Sequence, residues 1–169
     1  MEIMRLFIFL ERAKNLGFET MIIEHSKYAS RDDFDSELVR AIKAANIDLV
    51  VLAGFMRVLG ANFCDNVKAI NLHPSILPLF KGAHAIKESF ESDMQVGGIT
   101  VHWVSSELDG GKIIAQKTFA RKNRTFKQWE EKIHKLEHKL HTFPLSPCKK
   151  EQRFSPSSLP YSFPFRPRR

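Results

Sequence analysis

Asn71 and His73 stand two residues apart in the stretch KAINLHPSILPLFKGAHA (Lys68–Ala85), and a proline follows at once. In a strand, that spacing puts both side chains on one face. Pro74 has no N–H for a ladder and biases His73 toward an extended backbone, so the strand is expected to stop there. An imidazole titrates near neutral pH and can carry a proton; a neutral amide donates a hydrogen bond without changing its protonation state. A third polar group, Asp109, lies in the turn sequence LDGG. Each of the three also has a plainer use: Asn71 as a turn cap, Asp109 as a turn residue, His73 as a histidine satisfied beside a sheet. His73, His84 and His102 together suggest a metal, but no acidic or cysteine partner stands at ligand spacing, so no metal site is expected.

Strands and helices in alternation are needed to hold these groups. TMIIE (Thr20–Glu24) reads as a short strand. Ser30 with Asp33 forms a capping box, opening a helix to about Ala45 whose apolar face is Phe34, Leu38, Val39 and Ile42. IDLVVLAG (Ile47–Gly54) is a continuous apolar run, as in a strand buried on both faces. A short helix or turn over Val58–Phe63 leads to the strand KAINL, and HAIKESFES (His84–Ser92) is the next helix. GGITVHWV then alternates, with Ile99, Val101 and Trp103 on one face and Thr100 and His102 on the other. It pairs with KIIAQK (Lys112–Lys117) through the glycine-bearing turn. Thr125 with Gln128 caps a last helix with a buried face of Phe126, Trp129, Ile133, Leu136 and Leu140. The fold class is α/β: an open, mostly parallel sheet flanked by helices, with a late antiparallel hairpin. Such sheets take ligands at the carboxyl ends of their strands, where Asn71 and His73 stand.

Three pieces, NLHPSILPLFKGAHAI (Asn71–Ile86), GGITVHWVSSELDGGKIIAQ (Gly97–Gln116) and DLVVLAGFMRVL (Asp48–Leu59), resemble the folate-dependent formyltransferase family, a Rossmann-like fold. HKLEHKL (His134–Leu140) is similar to that family's penultimate helix. His-Pro-Ser after Asn71, Gly-Ala-His-Ala, and Thr-Val-His before Leu-Asp-Gly-Gly resemble the branch that acts in purine synthesis. The resemblance implies transfer of a formyl group from 10-formyltetrahydrofolate, a co-substrate, to the amine of glycinamide ribonucleotide. It implies Asn71, His73 and Asp109 as the catalytic set, with His102 in support. An amine attacking a formyl carbon creates an oxyanion and a proton to move, which suits an amide donor, an imidazole and a carboxylate that orients it. It further implies a folate pocket at Met56, Arg57, Val58 and Leu59 with Val104, Glu107 and Leu108, and nucleotide contacts at Arg31 and Glu137. An apolar wall with free peptide groups suits a flat pterin, and Arg57 suits its acidic tail. Relatives sharing Asn-x-His and the distal Asp include formyltetrahydrofolate hydrolases and methionyl-tRNA formyltransferases. Neither a sensing domain nor a tRNA-binding domain is expected here. A non-catalytic folate-binding remnant is the reading from another class.

The resemblance runs from about Leu10 to Leu140, so residues 1–140 are expected to be a formyltransferase domain that starts after the family's first β–α unit. The Gly-x-Gly-Ser-Asn loop of that unit does not occur in the sequence. Without it, weak hold on a 5′-phosphate is expected, since charge-assisted hydrogen bonds contribute about 1.5–3 kcal/mol each. Residues 141–169 hold six of the eight prolines and none of the eight glycines, and are expected to be irregular. They also carry most of the charge. Six basic residues against Glu151 leave residues 1–140 close to neutral, although the whole chain is +7. A basic footprint for nucleic acid is therefore not expected on the folded body. No apolar run is long enough to span a membrane, and Cys64 and Cys148 read as free thiols of a reduced, cytoplasmic protein.

Overall fold

The computed structural model describes residues 10–138. Residues 10–15 form helix α1, which ends at Gly17 (φ +77°). Phe18 N–H bonds the Ala13 carbonyl at 3.0 Å and Gly17 N–H the Lys14 carbonyl at 2.9 Å, the paired bonds of a Schellman stop. Gly17 is thus the glycine C-cap of this helix. The segment Thr20–Glu24 joins no ladder, and Met21 and Ile22 are exposed. The strand expected there is corrected: a strand needs a partner, and none of the described strands lies alongside it.

Helix α2 (Arg31–Ala44) starts at Ser30, whose hydroxyl accepts from Asp33 N–H while Asp33 accepts from Ser30 N–H. The expected capping box is present. Strand β1 (Val50–Leu52) is shorter than the apolar run that predicts it, and half-buried rather than covered on both faces. Among the described residues it stands at the end of the order β1-β2-β3-β4, with β2 as its one ladder neighbour. Helix α3 (Ala61–Asn66) follows, then β2 (Ala69–His73), α4 (Ala85–Glu91), β3 (Val96–Trp103) and β4 (Ile113–Ala120). Helix α5 (Phe126–Glu137) opens on the expected Thr125–Gln128 box. It buries Trp129, Ile133 and Leu136, whereas Phe126 is 40% exposed and lies against Phe90 at the rim. Leu140 and the 141–169 tail fall outside the described residues.

The α/β sheet with a late hairpin is as expected. β1 and β2 are parallel, and β3 is antiparallel to both β2 and β4. Period two divides the faces. Ile70 and Leu72 of β2, with Ile99, Val101 and Phe119, pack on Trp129 and Ile133 of α5. Ala69 faces the other way, into a second core of Val39, Leu59, Phe63 and Val67 from α2, α3 and their flanks. Asn71 and His73 share the Ala69 face. Pairing of β2 with β3 sets Asn71 opposite His102 and His73 opposite Thr100, so four polar residues gather where β2 ends.

Among the described residues no helix is long and apolar enough to cross a membrane. Nor do three His, Cys, Asp or Glu side chains gather in a metal-holding group there.

Candidate active site

Strand pairing delivers Asn71, His73 and His102 to one face, and the β3–β4 turn brings Asp109 back over them. The turn closes tightly: a Cβ on Gly111 would sit 1.7 Å from the Trp103 carbonyl oxygen, so only glycine fits. Asp109 takes the left-handed conformation (φ +48°), which aspartate tolerates better than most residues. Its carboxylate is held by the loop after β2, where Gly82 N–H donates to Asp109 Oδ2 at 2.8 Å. Gly82 has φ +88°, another glycine the turn requires. The exposed ion pair Lys81–Glu107 (2.8 Å) ties the same two loops together.

One carboxylate thus faces two imidazoles. Asp109 Oδ2 is 3.4 Å from His73 Nδ1, and Oδ1 is 3.6 Å from His102 Nε2. Asn71 Nδ2 lies 3.2 Å from His102 Nε2 and 3.5 Å from Asp109 Oδ1. Both histidines are buried, and the side chain of Asp109 is 9% exposed. Backbone carbonyls assign the protons. His73 Nε2 is 2.8 Å from the Phe80 carbonyl oxygen, which only accepts, so Nε2 carries a hydrogen. The nitrogen without a carbonyl partner is Nδ1, facing Asp109. His102 Nδ1 is 2.9 Å from the Trp103 carbonyl oxygen and carries its hydrogen there. Burial pushes the His102 pKa below the ordinary histidine value. The Trp103 carbonyl and Asp109 oppose that shift, and His73 adds to it.

The loop that carries Phe80 is itself fixed. Ser75 Oγ donates to the Leu79 carbonyl (2.7 Å) and to that of Phe80 (3.2 Å). The buried Thr100 hydroxyl donates to the Ser75 carbonyl (2.7 Å) and accepts from Leu77 N–H (3.0 Å) and Gln116 Nε2 (3.0 Å). Phe80, Gly82, Ser75 and Gln116 are the site's supports that sequence reasoning missed. Phe80 and Gly82 act through backbone groups, which residue type does not encode. Ser75 is part of the His-Pro-Ser signature, and its position two residues after His73 was the available signal.

The other expected site residues lie outside this cluster. Met56 is 78% exposed, and Val58 and Leu108 are also exposed. Leu108 reaches over Gly82. The Arg57 guanidinium lies 5.6 Å over the Phe34 ring. Leu59 is buried in the second core, so its side chain is structural. Val104 packs on that core, and its N–H already bonds the Ala69 carbonyl at 2.8 Å. Glu107 is engaged by Lys81. Arg31 is exposed at the start of α2, and Glu137 pairs with His134 at 2.6 Å. Among the described residues no hydrogen bond or ion pair joins Arg31 or Glu137 to the four-residue cluster. His84 precedes α4 with no capping bond. Cys64 is half-buried; burial first, then Asp65 and Asp35, raise its thiol pKa, the reverse of an activated nucleophile.

Residues 8–143 match the family model described as formyl transferase. The chain belongs to the formyl transferase family. It is 36% identical over 133 residues to the phosphoribosylglycinamide formyltransferase of Bacillus subtilis (strain 168), covering 77% of this chain and 68% of that one. It is 38% identical over 134 residues to the human trifunctional purine biosynthetic protein adenosine-3, of whose length it spans 13%. The crystal structure of phosphoribosylglycinamide formyltransferase from Campylobacter jejuni superposes with a TM-score of 0.76 at 60% identity, covering 82% of this chain and 72% of that one. Family membership agrees with the motifs on which the resemblance rests, and the fold neighbours share its α/β sheet.

Proposed function

We propose that this chain transfers a formyl group from 10-formyltetrahydrofolate to the amine of glycinamide ribonucleotide, with Asn71, His73 and Asp109 as catalytic residues. The observation that carries this is their convergence. An amide donor, an imidazole with one uncommitted nitrogen and a buried carboxylate meet at the carboxyl end of β2. The relatives named for the same transfer support the substrate pair.

The folate supplies a formyl carbon bound to a nitrogen leaving group. When the substrate amine adds to that carbon, a C–N bond forms and the carbonyl oxygen takes the electron pair. Asn71, a neutral donor fixed beside the site, stabilises that oxygen without proton transfer. The amine nitrogen, now cationic, must lose a proton, and the leaving nitrogen must gain one before its C–N bond breaks. His73 Nδ1 is the group placed to carry it, because Nε2 is occupied by the Phe80 carbonyl. Asp109 at 3.4 Å stabilises the imidazolium while His73 holds that proton. Exposed Met56, Val58 and Leu108, with Arg57 beside them, fit an apolar ring system with an acidic tail. Arg31 and Glu137 are proposed for the nucleotide's phosphate and ribose.

The test is to incubate the chain with both substrates and follow formylated ribonucleotide and free tetrahydrofolate by mass spectrometry. One product of each per turnover is expected. Formate released without the ribonucleotide would replace this reading with hydrolysis, and binding of folate with no transfer would leave only a folate-binding remnant.

A further inference from the structure

We propose that His102 is a positioning residue for Asn71: held in one tautomer by the Trp103 carbonyl, it sets which end of the Asn71 amide faces the reacting oxygen. The proposal rests on the formyl-transfer reading only for what Asn71 does there. The lock itself is a matter of hydrogen-bond chemistry.

The two ends of an asparagine amide have the same shape, so chemistry must decide between them. The Trp103 carbonyl at 2.9 Å takes the Nδ1 hydrogen of His102. A neutral imidazole then presents a bare lone pair at Nε2, and Asn71 is 3.2 Å away. Only the NH2 end of Asn71 can bond there. The flipped amide would set its oxygen against that lone pair and against Asp109 Oδ1, two acceptor–acceptor contacts. With one amide hydrogen given to His102, the second points toward Asp109 Oδ1 at 3.5 Å, at the limit of a hydrogen bond. That second hydrogen, so weakly engaged, is the one left to donate to an oxyanion. The lock is built in place: His102 is 3% exposed, and a side chain on Gly111 would collide with the Trp103 carbonyl oxygen that takes the His102 Nδ1 hydrogen.

Protonation would reverse it. An imidazolium donates from both nitrogens, so Nε2 would then donate to Asp109 Oδ1, 3.6 Å away, or to the oxygen of a turned Asn71 amide, and in either case the lone pair that holds the Asn71 NH2 is gone. The groups facing His102 are the Asp109 carboxylate from the hairpin turn, His73 from β2, Lys81 from the following loop and the Trp103 carbonyl on its own strand. Burial outweighs the first and last of these and favours the neutral ring.

The experiment has a spectroscopic and a kinetic arm, both on the full 169-residue chain. Imidazole nitrogen NMR at pH 7 is expected to give His102 as the Nδ1–H tautomer, its signals assigned by their loss in H102Q. On lowering the pH, the Asn71 side-chain NH2 signals are expected to move as His102 takes its proton. An Nε2–H tautomer, an imidazolium at pH 7, or Asn71 signals indifferent to the titration overturns the proposal. In turnover, H102L is expected to lower kcat about tenfold with KM unchanged, the effect of one lost orienting hydrogen bond. H102Q, whose amide oxygen can accept from Asn71, is expected to recover most of that loss. Equal losses in the two variants, or none in H102L, also overturn it. Absence of any formyl transfer by the unaltered chain would instead strike the functional reading, and the NMR arm would still decide the lock.

Discussion

The two ends of the four-stranded sheet are built differently. At the β3–β4 end, Ile99, Trp129 and Ile133 are fully buried, and Arg121 spans Phe90 and Trp129 while donating to the Ser92 and Phe90 carbonyls. At the β1 end the three strand residues are half-buried, none of them in the fully buried core. The cluster takes its side chains from β2, β3 and the β3–β4 turn, and none from β1. Its geometry is therefore anchored to the well-packed end. Rigid support belongs where a misplacement of about 1 Å in reacting groups costs rate.

Substitutions can break that comparison. The largest effect is expected on turnover, from removing charge or base inside the cluster: His73→Ala and Asp109→Asn should each lower kcat by about 10²–10⁴-fold. Steady-state rates of formyl transfer check this, and near-normal turnover in either variant would discard the assigned roles. Next comes the packed end. Trp129→Ala removes a ring packed on Phe90 and Phe119 and a bond from Nε1–H to Ser89 Oγ (3.2 Å), and should cost about 3–5 kcal/mol in urea unfolding. Val51→Ala, on half-buried β1, should cost only about 1 kcal/mol or less in the same measurement. Equal costs for the two would mean that the ends are equally coupled to the core and that the contrast in packing carries no energetic meaning.

How much of this was legible in the sequence follows from what each feature depends on. Both capping boxes are local, four residues long and spelled by side chains, and Ser30–Asp33 and Thr125–Gln128 form as read. The common face of Asn71 and His73 follows from period two alone. Thr20–Glu24 failed because a strand is a property of pairs: β-prone residues without a neighbour make no ladder. β1 fell short in the same way: among the described strands only β2 pairs with it, and its residues are half-buried where the apolar run implied cover on both faces. In the site, the residue types of the cluster were legible through the motifs. Which nitrogen of His73 is free was not, because the Phe80 carbonyl settles it and Phe80 reaches that place through a left-handed backbone (φ +56°) that nothing in its side chain announces.

The smallest expected effect is a slope in stability with pH, and it sharpens the comparison by asking whether the site itself costs the fold anything. His102 is held neutral by burial, with its folded pKa below the ordinary value of 6.5 that it regains on unfolding. Above about pH 6.5 the ring is neutral in both states and contributes no pH dependence. As the pH falls through that value, the unfolded chain takes up a proton that the folded chain refuses, so stability declines toward acid and levels off below the folded pKa. Urea midpoints from pH 7.5 to 5 should therefore fall more steeply for the unaltered chain than for H102Q, which has no ring to titrate. Parallel midpoints over that range would show that His102 protonates freely inside the fold. The burial that fixes the Asn71 amide would then be too weak to hold a neutral imidazole beside Asp109.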